Sequence, residues 1–170
     1  MNDFRADERG EYRYEGAWMR AVLSPEQWRH AAGTLAVAAG VLFACGIVCG
    51  CVPASVMGSR IYILLPYVAE LALSFSLLYR SIRLLLRGRD GQVPEYIFLQ
   101  TADKFPLHAG MLTAFAGVTT GANLIWQIIA RPQGSKGLLL LWILLQAVIL
   151  LVSIGFKKQA DGISWVRQET

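Results

Sequence analysis

Four long apolar blocks dominate this chain, at residues 31–52, 61–79, 109–130 and 137–156. Each is close to the ~20 residues that a helix rising ~1.5 Å per residue needs to cross a ~30 Å hydrocarbon core. Three of the blocks carry no charged side chain, and the second carries one, Glu70, near its middle. A soluble four-helix bundle would place charges along its outer faces at helical period. Blocks without charge have no such faces. The 55% hydrophobic content and mean hydropathy of +0.43 also exceed what soluble domains show, at roughly 45–50% apolar. The chain reads as an all-α integral membrane protein with four transmembrane helices.

Lysine and arginine set the expected orientation. Thirteen of the 16 lie in the leader, in the 80–107 connection or after the fourth span, and the two other loops hold only Arg60, Arg131 and Lys136. Under the positive-inside rule both termini and the 80–107 loop are cytoplasmic, and the helices form an up-down-up-down bundle. The expected organisation is a leader at 1–29, a four-span membrane domain at 30–156 and a tail at 157–170. The charged opening "MNDFRADERGEYRYEG" has no apolar core of the kind a cleaved signal peptide needs, so the first span is expected to direct insertion. No N-x-[ST] sequon occurs, in keeping with a bacterial plasma membrane. The net charge of +4 is a topology signal. Binding nucleic acid would need a basic face on a folded soluble domain, so no nucleic-acid partner is expected.

In the leader, Ser24 is placed to cap a helix opening at Pro25 and Glu26. Trp18, Trp28 and Arg29 are expected at headgroup level, and the residues before them as a short surface helix or without fixed structure. The short loops "PASVMGSR" and "PQGSKG" make spans 1 and 2, and spans 3 and 4, antiparallel neighbours. The central loop begins as a helical extension to the Gly88–Gly91 region. Pro94 and Pro106 then rule out one continuous helix, and Tyr96 to Leu99 are expected to lie back on the membrane or bundle.

Small residues mark expected contacts. Span 1 has Ala32, Ala36, Gly40 and Ala44 at four-residue steps, with a GxxxG at Gly46 and Gly50. Span 3 has Gly110, Ala114, Gly117 and Gly121. Small side chains let backbones approach where water no longer drives association. The expectation is that spans 1 and 3 pack together, with a homodimer seam as the alternative.

Glu70 has Tyr67 and Ser74 on its own helical face, and Pro66 one turn before it is expected to kink the helix. Span 3 offers Thr113, Thr120 and Gln127 at seven-residue steps with Asn123 beside them, and span 4 offers Gln146. Glu70, Thr120 and Gln146 fall near one depth. A charge at mid-span costs roughly 2.5–3.5 kcal/mol. The ten Leu, Ile, Val and Phe residues of this span offset that at about 0.3–0.6 kcal/mol each. Insertion therefore needs no special function. Persistence as an anion is harder, since no Lys, Arg or His lies inside any block. Two readings follow: a neutral acid tying helices together, or a carboxyl that exchanges a proton or binds a cation.

Other constellations carry less. Cys45, Cys49 and Cys51 are read as small packing residues, because a disulfide relay would need a second cysteine pair and none follows Cys51. His30 and His108 precede odd-numbered spans and are read as interfacial. Arg80, Arg83 and Arg87 share a face below span 2, suited to lipid headgroups or to an acidic partner such as Asp7, Glu8, Glu11 and Glu15 of the leader. No nucleophile with a base, no metal-ligand spacing and no phosphate loop appears, so no enzyme activity and no cofactor or metal is expected. The functional expectation is a non-enzymatic membrane component that assembles with itself or with larger membrane subunits. The alternative is a small oligomeric transporter in which Glu70 couples proton or cation movement.

Overall fold

A computed structural model describes residues 4–6, 12–14, 16–88 and 91–168. Four long helices fill the chain: α1 (Pro25–Gly50), α2 (Ile61–Arg87), α4 (Phe105–Ala130) and α5 (Lys136–Asp161), with the short α3 (Glu95–Gln100) between α2 and α4. All four are long and apolar enough to span a membrane. At 26 or 27 residues each, they run to roughly 40 Å and outlast a ~30 Å hydrocarbon core. The start of α1 follows the expected chemistry. Ser24 Oγ accepts from the Gln27 amide at 3.3 Å, the Gln27 side chain accepts from the Ser24 amide at 3.0 Å, and Pro25 occupies the first turn. The prolines act as anticipated: Pro94 precedes α3 and Pro106 sits in the first turn of α4. Helix α2 runs through Pro66 without a break.

Each long helix buries one narrow seam. In α2 it is Ile63, Tyr67, Glu70, Ser74, Leu77, Ser81 and Leu84, and in α1 it runs from Trp28 through Ala32, Leu35, Ala39, Leu42 and Gly46 to Cys49. The steps alternate four and three, a 3.5-residue repeat that marks knobs-into-holes packing. Polarity is inverted relative to a soluble bundle. The seams hold Glu70, Ser74, Ser81, Thr119, Asn123, Gln146 and Ser153, while exposed positions carry Val37, Leu65, Ile129 and Leu151.

Helix α1 packs on α2 and α5, and α4 packs on the same two, so α1 and α4 lie across the bundle from each other. The small residues of spans 1 and 3 therefore do not meet as expected. A four-residue step advances about 400°, drifting roughly 40° each time. The row that begins at buried Ala32 has left the seam by Gly40. A Cβ built on Gly40, Gly110, Gly117 or Gly121 would meet nothing within 4 Å.

Two structures close the ends of the bundle. At one end the α1–α2 connection folds inward, burying Val56, Met57 and Gly58. At the other, β3 (Trp18–Ala21) pairs antiparallel with β4 (Gln92–Pro94) on one side and β5 (Trp165–Gln168) on the other. This sheet joins leader, central loop and tail. A separate hairpin, β1 (Phe4–Ala6) with β2 (Tyr12–Tyr14), precedes it, where a surface helix or no fixed structure was expected. Trp28 packs inside the protein. It is 1% exposed, its indole N–H donates to Gly88 O at 2.9 Å, and its ring meets Trp165 edge to face at 5.3 Å.

Candidate functional site

Glu70 occupies a seam position of α2 and is 1% exposed. A carboxyl there is held by what the other helices present. From α5, Gln146 donates through Nε2 to Glu70 Oε1 at 3.2 Å. From α4, the Thr120 hydroxyl bonds mainly to Ala116 O at 2.7 Å and reaches Gln146 Oε1 at 3.4 Å. Gln146 is thus oriented, oxygen toward α4 and amide toward Glu70. Thr119 of α4 and Cys49 of α1 lie beside the same pair. All four long helices contribute to this layer.

The other expected members are engaged elsewhere. Tyr67 donates to Gly46 O at 2.8 Å, across to α1, and Ser74 donates to Leu71 O of its own helix at 2.9 Å. Asn123 and Gln127 hold the inward-folded loop. The Gly58 amide donates to Asn123 Oδ1 at 3.2 Å, Asn123 Nδ2 donates to Val56 O at 3.1 Å, and Gln127 Nε2 donates to Val56 O at 2.7 Å. Lower in the bundle, Thr113 and Ser153 join α4 to α5 through hydroxyls 2.8 Å apart.

Thr119 is the residue that the stripe of Thr113, Thr120 and Gln127 conceals. It belongs to the seam of Leu112, Ala116, Thr119 and Asn123, and Asn123 is the sequence signal for that phase, because a buried amide must find partners. Its hydroxyl differs from its neighbours. Those of Thr101, Thr113, Thr120, Ser74 and Ser153 each lie within hydrogen-bonding distance of a carbonyl of their own helix or turn. Thr119 Oγ1 has no partner, and neither does Glu70 Oε2. Ser81 Oγ and Trp142 Nε1 are the other buried side-chain polar atoms without one among the described residues.

Of the packing glycines, Gly46 faces Leu71 and Ser74, and Gly50 faces Tyr67, so this GxxxG serves the α1–α2 contact. Cys45, Cys49 and Cys51 form no disulfide. Among the described residues no group of three His, Cys, Asp or Glu side chains is arranged to hold a metal. The arginine trio divides. Arg80 is tied to Ser76 Oγ at 3.1 Å and to Gln100 O, whereas Arg83 and Arg87 line an outward groove of about 300 Å³ with Tyr79, Ile82 and Leu86. The acidic leader residues Asp7, Glu8, Glu11 and Glu15 lie outside the described residues. Compared with protein-family models, curated proteins and solved structures, the chain finds no match.

Proposed function

We propose that this chain is a non-enzymatic component of a plasma membrane, with both termini and the 80–107 loop in the cytoplasm, that works by lateral assembly through the outward face of α4. The orientation is supported by the sheet that draws leader, loop and tail, the three basic segments, to one end of the bundle. On that side Arg83 and Arg87 suit lipid phosphates. Assembly is carried by one observation: Gly110, Gly117 and Gly121 line α4 at helix-packing spacing, and the bundle makes no use of their smallness. Glycine costs a helix about 1 kcal/mol relative to alanine. Close approach of another helix, from a second copy or a larger partner, would offset that.

Energy transfer between labelled copies in lipid vesicles, measured against lipid dilution, tests this. Association should persist on dilution in the wild type and weaken about tenfold or more in Gly117→Leu, which fills the face without touching the seam. A wild type that separates like a non-interacting label would remove the second copy and leave only a larger partner, and a variant that associates unchanged would sink the role of the α4 glycine face.

A second reading is proton or cation transport coupled at Glu70, favoured by the unpartnered Glu70 Oε2 at the layer where four helices meet. Its test is ion flux into vesicles, abolished in Glu70→Gln.

A further inference from the structure

Buried polar atoms rarely go without partners, and those that do call for an explanation. Glu70 Oε2 and Thr119 Oγ1 each lack one and belong to residues 1% and 0% exposed, and the Thr119 side chain lies within reach of the Glu70 carboxyl. We propose that Glu70 and Thr119, positioned by Gln146, form an exchangeable proton-binding site. This deepens the transport reading by naming the ion and its second ligand.

The hydrogen-bond directions locate the proton. Gln146 turns its amide hydrogens to Glu70 Oε1 and its oxygen to Thr120, so Oε1 accepts in either state and the acid's hydrogen sits on Oε2. A hydroxyl, which both donates and accepts, serves both states of that oxygen. With Glu70 neutral, Thr119 Oγ1 accepts from the Oε2 hydrogen. When the proton leaves to water, the Thr119 hydroxyl turns and donates to the carboxylate, while Gln146 continues to donate to Oε1. No helix has to move. A neutral acid serving only as glue needs just an acceptor for its hydrogen, which a carbonyl would supply. A hydroxyl also serves the anion, and Thr119 alone among the α4 threonines keeps its hydroxyl off its own helix.

A metal ion fits poorly. Calcium or magnesium takes six or more oxygen ligands, and this layer offers the carboxyl, Thr119 and little else, since the Gln146 oxygen and the Ser74 hydroxyl are engaged. For a softer ion, no third His, Cys, Asp or Glu joins Glu70 and Cys49 among the described residues. The titratable groups facing Glu70 are Cys49 from α1 and Tyr67 from its own helix. Helices α4 and α5 present only neutral side chains, Thr119, Thr120 and Gln146, so no fixed charge holds the site in one state.

The test is difference infrared spectroscopy of the full chain in lipid vesicles across a pH series. A carboxyl band missing from Glu70→Gln should appear and vanish reversibly with pH. Thr119→Val, which keeps the shape and removes the hydroxyl, should change proton affinity by roughly threefold or more, and Thr119→Ser should restore it. A band that never titrates overturns the site, as does a midpoint identical in Thr119→Val or one that sodium displaces. Should Glu70→Gln fail to fold, the Thr119→Val and Thr119→Ser pair decides alone. Proton exchange without ion flux would leave the site standing and remove the transport reading.

Discussion

Two polar layers cross the bundle, and they differ in how completely they are satisfied. At the inward-folded loop, both polar atoms of the Asn123 side chain are engaged, and Gln127 adds a second donor to Val56 O. At Glu70 one carboxyl oxygen has a partner and the other has none. Both layers are buried, and polar groups in an apolar interior cost free energy unless paired. The first layer meets that cost in full and reads as a fastening. The second leaves a proton-binding atom open. The two layers share burial and polarity; completeness of pairing is where they differ.

The largest stability loss should follow Asn123→Val. It strips the partner from the buried Gly58 amide and one donor from Val56 O, so a loss of about 2–3 kcal/mol is expected, read by reversible unfolding in mixed micelles. A loss below that of an exposed substitution would make the two layers alike and dissolve the distinction. Gly58→Ala attacks the same fastening by volume. A Cβ there would lie 2.7 Å from the Trp126 ring and 2.8 Å from Ile63 Cδ1. Overpacking of this kind costs about 1–3 kcal/mol; the lower half is expected, since side chains rather than backbone must yield. Faster cysteine labelling at Cys51, beside the loop, would report the disturbance locally.

Much of this was legible in the residues, and what was hidden has physical causes. Block lengths and the absence of charge located all four helices, because a membrane span leaves no room for other readings. Their ends were less visible. The extension of α2 to Arg87 was expected, since nothing breaks it before Gly88, but α5 continues past Phe156 to Asp161, because hydropathy reports the solvent of a segment rather than its backbone. The three-stranded sheet was not legible at all. Its strands have three or four residues, too few to show alternation, and Trp18 pairs with Pro94 and Gln168 from distant parts of the chain. At the site, Glu70 and Gln146 stood out as polar residues in apolar spans. Thr119 did not, because a seven-residue stripe fixes the period of a helix without its phase. Packing against α2 and α5 turns Thr119, not Thr120, fully inward.

Glu70→Gln should change stability least, by under about 1 kcal/mol, and this sharpens the comparison most. The substitution keeps an oxygen for Gln146 to donate to and puts an amide where Oε2 was, so the layer loses no partner it had. It also supplies a hydrogen toward Thr119, as the neutral acid does. What it cannot do is release that hydrogen. If Glu70 were a fastening like Asn123, replacing it would register in unfolding and nowhere else. If it is a proton site, unfolding should barely move while the pH-dependent infrared signal disappears. A loss comparable to that of Asn123→Val would place Glu70 among the fastenings, and the search for function would pass to the glycine face of α4.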